Sequence, residues 1–190
     1  MKILLTLNKT LRRGTKDIED GGYKNVYLPL KDLEHDVYFY DTVNPEEKSF
    51  SKIIESFKPD LIFCCMTGNP QMTPFEPWEE IRQETESGRT KTFNWFCDDT
   101  WRFKSFSSKA CHYFNVCSTL ERSYLEKYKN IGFKNIILGV CHSNVNFHPY
   151  LEFKKKNIEL SFIGRIDFLR TPYIEMLRDY KVPMTHITNV

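Results

Sequence analysis

The sequence has 190 residues, of which 41% are hydrophobic and 27% charged. That length allows one domain, or one domain and a piece of another. The apolar content is enough for a core, which excludes a chain disordered throughout. Lys+Arg 27 against Asp+Glu 25 leaves a net charge of +2, too weak a field to hold nucleic acid or an anionic membrane surface by charge alone.

The longest apolar runs, such as Leu61 to Met66, fall far short of the roughly 20 residues of a membrane-spanning helix. The opening Met1-Lys2-Ile3-Leu4-Leu5-Thr6-Leu7 is too short for a secretory leader and lacks a small-residue cleavage site. Cysteines stand at 64, 65, 97, 111, 117 and 141 with no C-x-x-C pair, which argues against a zinc ribbon. Most lie in apolar, strand-like runs, where free thiols act as small hydrophobes. A reducing, cytoplasmic compartment fits that usage.

Strand and helix signals alternate along the chain. Lys2 to Leu7 reads as a buried parallel strand. Asn8 to Gly22 is polar and reads as a loop ending in Gly21-Gly22; Tyr23 to Leu33 places Val26, Leu30 and Leu33 on one helical face. His35 to Tyr40 is the second strand. Pro45 to Phe57 reads as a helix with Phe50, Ile53, Ile54 and Phe57 at helical spacing, stopped by Lys58-Pro59-Asp60. Asp60 to Met66 is the third strand and Thr67 to Pro77 a proline-rich loop. Trp78 to Glu86 is a polar helix ending near Gly88, and Lys91 to Cys97 the fourth strand, with Asp98-Asp99 just beyond it.

His112 to Cys117 reads as the fifth strand. Ser118 followed by Glu121 has the pattern of a capping box opening a helix from Leu120 to Asn130, with Gly132 at its end. Lys134 to Val140 is the sixth strand. Repeated strand–helix–strand units predict an α/β, Rossmann-like, doubly wound and mostly parallel sheet over residues 1–140. Residues 141–157 read as a linker, and residues 158–190 as the first βαβ piece of a second domain: a strand over Ile158 to Ile163, a helix over Arg170 to Tyr180 and a strand from Pro183.

Ligands of open parallel sheets bind beyond the carboxyl ends of the strands. That rule directs attention to the segments after each strand. Asp98 and Asp99, flanked by Trp95, Phe96 and Trp101, are the candidate catalytic pair, because a carboxylate at a strand end can take the proton of a hydroxyl nucleophile. The plain alternative is that one acid caps the next helix and the other is solvated. Gly21 and Gly22, which lack the spacing of a dinucleotide fingerprint, read either as a plain surface turn beside a solvated charge run or as a flexible acceptor-side loop that approaches a ligand. His142 and Asn144 in the linker, Trp101 beside the acids, and Arg165 after Gly164 complete the candidate binding residues. No metal site is expected, since no third oxygen or His ligand lies near the acids in sequence.

Several stretches, in order, resemble the N-terminal half of a GT-B glycosyltransferase of the spore-maturation-protein-like branch. They are Phe57-Lys58-Pro59-Asp60-Leu61-Ile62-Phe63, Asn94-Trp95-Phe96-Cys97-Asp98-Asp99, Tyr128 through Gly132 to Asn135, Asn144-Val145-Asn146-Phe147-His148-Pro149, and Leu160-Ser161-Phe162-Ile163-Gly164-Arg165 with Arg170. The resemblance implies two Rossmann-like domains, the first holding a hydroxyl-bearing acceptor and the second a nucleotide-diphosphate sugar. It implies no cofactor beyond that donor substrate and no metal, with Asp98 or Asp99 as base or acceptor anchor and Arg165 near the diphosphate. Most donor-binding residues of such a second domain are expected after Val190, so a C-terminal partner chain or a homo-oligomer is expected to complete the site. The alternative is a non-catalytic Rossmann-like binding or interaction module; a phospho-acceptor role for Asp98 or Asp99 lacks placeable Lys and Thr partners.

Overall fold

Ile3, Leu4, Leu5 and Leu7 are each at most 1% exposed. A strand buried on both faces needs that near-continuous apolar run, and β1 (Lys2–Leu7) lies inside a sheet, paired in parallel with β4 (Asp36–Asp41) on one side and β5 (Leu61–Cys64) on the other. The computed structural model describes residues 1–13, 16–139, 160–163 and 170–187. Its contacts divide the chain into two units, residues 1–147 and 148–190.

The first unit is built on a six-stranded parallel sheet that continues through β6 (Lys91–Phe96), β7 (Val116–Thr119) and β8 (Ile136–Leu138), in the order β4-β1-β5-β6-β7-β8. Alternating side chains feed two apolar layers. Leu4, Ile62, Cys64, Phe96 and Cys117 face one way, against α2 (Phe50–Phe57), α3 (Trp78–Ser87) and α6 (Leu125–Asn130). Ile3, Leu5, Leu7 and Val37 face the other, against Val26, Tyr23 and Tyr27 of a helical segment. This is a Rossmann-like, doubly wound α/β fold, as the alternating pattern predicts.

The helix ends follow local chemistry. Ser49 accepts from the Lys52 amide and so starts α2, several residues after the predicted Pro45. Gly88, with φ +69°, donates its N–H to the Glu84 carbonyl and ends α3. Gly132, with φ +86°, closes the turn after α6.

Three predicted elements differ. The polar stretch after β1 forms an antiparallel hairpin of β2 (Thr10–Arg13) and β3 (Lys16–Glu19). Ile18 and Glu19 are exposed, so the hairpin lacks the alternation that reveals a half-buried strand. The fifth sheet strand is Val116–Thr119 rather than His112 to Cys117, because Cys111–Tyr113 close a 3-10 turn first. Ser118 and Thr119 do not open the helix: both are buried in β7, opposite Trp95 and Phe96, and the Thr119 hydroxyl accepts from the Glu121 amide at 3.2 Å, ahead of a 3-10 turn. The helix begins later, after a 3-10 turn over Arg122–Tyr124.

The second unit contains the predicted strand–helix–strand: β9 (Ser161–Ile163) and β10 (Thr185–Ile187) pair in parallel, with α7 (Thr171–Asp179) between them in sequence. No helix among the described residues is long and apolar enough to cross a membrane.

Candidate functional site

Chain order and sheet order disagree at one place in this sheet. β4 lies on one side of β1 and β5 on the other, so the connection after β1 runs one way along the sheet and that after β5 the other. The loops at the carboxyl ends of β1 and β5 must then diverge, and a crevice opens between them. A cavity of about 390 Å³ occupies that position, within the size range of small-molecule sites. Asn8 follows β1, Cys65, Met66 and Thr67 follow β5, and Cys97 and Asp98 follow β6; all line it.

Two widened helical turns close its sides. Tyr23–Tyr27 is π-helical and leads into α1 (Leu28–Asp32); its flanking Gly21 and Gly22 and its Asn25 reach the cavity. Phe103–Ser107, which continues α4 (Asp99–Arg102), is also π-helical and supplies Phe106 and Ser107. Such turns expose backbone and side-chain groups that a regular helix keeps covered, and they recur at functional sites. Gly22 donates its N–H to the Asp20 carboxylate at 2.6 Å, and a methyl group on Gly22 would meet that same oxygen at 2.8 Å. The tight approach explains the glycine there.

The lining is mixed. Trp95, Phe96 and Phe106 give apolar faces; Asn8, Asn25, Thr67 and Ser107 give hydrogen-bonding groups; Asp20, Asp98 and Arg102 give charge. The Arg102 guanidinium stacks over the Phe106 ring at 4.4 Å and donates to the Thr67 carbonyl. It thereby ties the segment after β5 to α4. That segment is further organised by Glu76, which accepts from the amides of Thr67 (2.5 Å) and Gly68 (2.9 Å), the Thr73 hydroxyl (2.9 Å) and the Trp78 indole (3.1 Å).

The adjacent acids part company. Asp98 is exposed and lines the cavity, and its carboxylate has no hydrogen-bond or ion-pair partner among the described residues. It stands at the N-cap position of α4 without capping it. Asp99 is 1% exposed and turned into the core, where the Tyr128 hydroxyl donates to its two oxygens at 3.0 and 2.9 Å. Burial and the adjoining Asp99 charge push the Tyr128 phenol far above its ordinary pKa, so it remains a donor. Asp99 is thus a buried anchor for α4, and of the two acids only Asp98 lines the cavity.

Of the other predicted residues, Gly21 and Gly22 reach the cavity and Trp101 does not: its ring is 71% exposed beside Arg102. His142, Asn144 and Arg165 lie outside the described residues. Trp95, half-buried in β6, also lines the cavity. Arg102, Asn8, Asn25 and Asp20 carry no local motif. The signal available in sequence was their position, each within a few residues of a strand's carboxyl end or a glycine pair. Among the described residues no group of three or more His, Cys, Asp and Glu side chains is placed to hold a metal ion.

Fold and site together define an α/β domain with a ligand-sized crevice at a topological switch point. No protein-family model, curated protein or solved structure matches the chain, and the functional reading rests on the geometry and on the motifs above.

Proposed function

We propose that this chain is the acceptor-side part of a glycosyltransferase-like protein, which moves a sugar from a nucleotide-diphosphate sugar to a hydroxyl acceptor held in the switch-point cavity. The observation that carries the reading is the Asp98 carboxylate, unpartnered among the described residues, at the mouth of a cavity lined by aromatic faces and amides. Sugars and other polyols suit such a lining: their C–H faces pack on rings while carboxylate and carboxamide groups take their hydroxyls. Asp98 accepts the proton of the attacking hydroxyl as the acceptor oxygen bonds to the anomeric carbon and the nucleoside diphosphate departs. Arg102, held against Phe106, orients the acceptor. The resemblance of Asn94 to Asp99 and of Leu160 to Arg165 to GT-B enzymes supports the same assignment.

The buried position of Asp99 favours a second reading, a non-catalytic binding module, since it leaves one acid rather than two for chemistry. The two separate experimentally. With a nucleotide-sugar-binding domain supplied as a second chain and a panel of nucleotide sugars and hydroxylated acceptors, acceptor-dependent release of nucleoside diphosphate is expected, falling by about 10²-fold or more in Asp98→Asn. Saccharide binding with no release even when that second chain is present supports the module. Absence of any saccharide binding, or an unchanged rate in Asp98→Asn, refutes the transferase reading.

A further inference from the structure

Two thiols stand at the mouth of the cavity. Cys65 follows β5 and Cys97 follows β6, and their Sγ atoms are 3.9 Å apart. Both line the cavity. The other described cysteines, Cys64, Cys111 and Cys117, are each 0% exposed, whereas Cys97 is open to solvent and Cys65 is half-buried. We propose that Cys65 and Cys97 form a thiol–disulfide exchange site, in which Cys97 attacks a small neutral or cationic disulfide and Cys65 resolves the product into an intramolecular disulfide. The site does not depend on what the cavity binds.

The geometry allows the bond. A disulfide needs an S–S separation of about 2.05 Å, so the sulfurs must approach by roughly 2 Å. The backbone of Cys65 is fixed, its N–H donating to the Thr6 carbonyl at 3.0 Å. Cys97 lies just past the last residue of β6 and is free of that ladder, so a change of its rotamer and local backbone can close the gap. The two thiols also divide the roles. Either thiol can donate across the 3.9 Å contact, and that contact lowers the Cys97 pKa and raises that of Cys65; exposure favours Cys97 as the thiolate, because solvent stabilises a thiolate. Burial pushes the thiols of Cys64 and Cys117 up and that of Cys111 to about 12, leaving them inert. The carboxylates of Asp98 and Asp20 face Cys97, which disfavours an anionic disulfide as the partner.

The reaction balances as two exchanges. The Cys97 thiolate attacks one sulfur of the small disulfide; that S–S bond breaks, and the departing thiolate takes a proton from water. Cys65 then loses its proton to water and attacks Cys97 Sγ, expelling the second small thiol, which is protonated in turn. Two protein thiols are oxidised and one disulfide is reduced to two thiols.

Hydroxyethyl disulfide is a neutral probe. The full chain is treated in a Cys141→Ser background, because Cys141 lies outside the described residues, and read by intact mass and peptide mapping. The parent is expected to lose two hydrogens and to yield a linked Cys65–Cys97 peptide. Cys65→Ser is expected to accumulate the mixed disulfide at Cys97, and Cys97→Ser to react at least about tenfold more slowly; Cys65→Ala and Cys97→Ala serve if the serine variants fail to fold. A mixed disulfide that persists in the parent, a linkage through another cysteine, or an undiminished rate without Cys97 overturns the proposal.

Discussion

Replacing Tyr128 with Phe removes one hydroxyl from the middle of the helical layer and leaves the ring in place. The ring is 0% exposed and packs on Phe103 at 4.9 Å and on Phe96 and Phe133, each at 6.2 Å. Apolar packing therefore survives, and the loss falls on Asp99. The two oxygen contacts share a single hydroxyl proton, so one bond to a charged acceptor is lost, about 1.5–3 kcal/mol. The carboxylate, at 1% exposure, is then buried without that donor, which raises the total to about 3–4 kcal/mol. For a chain of this size that corresponds to a melting-temperature drop of roughly 6–16 °C. The assay is a double-mutant cycle by thermal and urea unfolding with Tyr128→Phe, Asp99→Leu and the pair. The pair should lose less than Tyr128→Phe alone, because removing both partners strands neither. A Tyr128→Phe loss under about 1 kcal/mol, or additive losses in the pair, would refute the assignment of Asp99 as a buried anchor.

Further outcomes follow from particular contacts. Arg89 donates to the buried Glu84 carboxylate and holds its pKa below the ordinary value; the folded state then binds that proton less readily than the unfolded one. This contribution is full above the ordinary glutamate range and is lost as pH falls through the lowered value. The stability gap between parent and Arg89→Gln should accordingly be wide near about pH 7 and narrow as pH falls below the ordinary glutamate range in paired urea titrations. Thr42 is 1% exposed and its hydroxyl has no partner among the described residues, so Thr42→Val should raise stability by about 1 kcal/mol in urea unfolding. Gly68 has φ +63°, and a Cβ there would overlap the Phe106 ring. Gly68→Ala should cost more than about 1 kcal/mol in the same unfolding assay and shift the Phe106 ring resonances, since strain and overlap add.

Much of the fold was legible because buried parallel strands declare themselves. Ile3 to Leu7 is apolar but for Thr6 and Leu61 to Cys64 is apolar throughout, and Gly88 and Gly132 mark helix ends by local chemistry alone. The hairpin after β1 was not legible, since its exposed Ile18 and Glu19 show no buried face. The Ser118 capping signal misled because pairing with Trp95 and Phe96 in β6 outweighs a cap that local sequence could make. The site was legible by topology, as the carboxyl-end rule selects the residues after β1, β5 and β6. What separates Asp98 from its neighbour is not local: the phenol that draws Asp99 inward lies 29 residues away, and nothing in the Asp98-Asp99 dipeptide shows which acid it takes. Arg102 is similar, because its role depends on the Thr67 carbonyl, 35 residues distant.

The most direct test of the switch-point site is a titration of isotope-labelled chain with hydroxylated sugar acceptors, followed residue by residue in amide spectra. Saturable shifts are predicted at Gly22, Thr67, Cys97 and Asp98, on the loops after three different strands, and they should weaken in Asp98→Ala. Saturable shifts confined to other surfaces, or no response to any acceptor, would contradict the account.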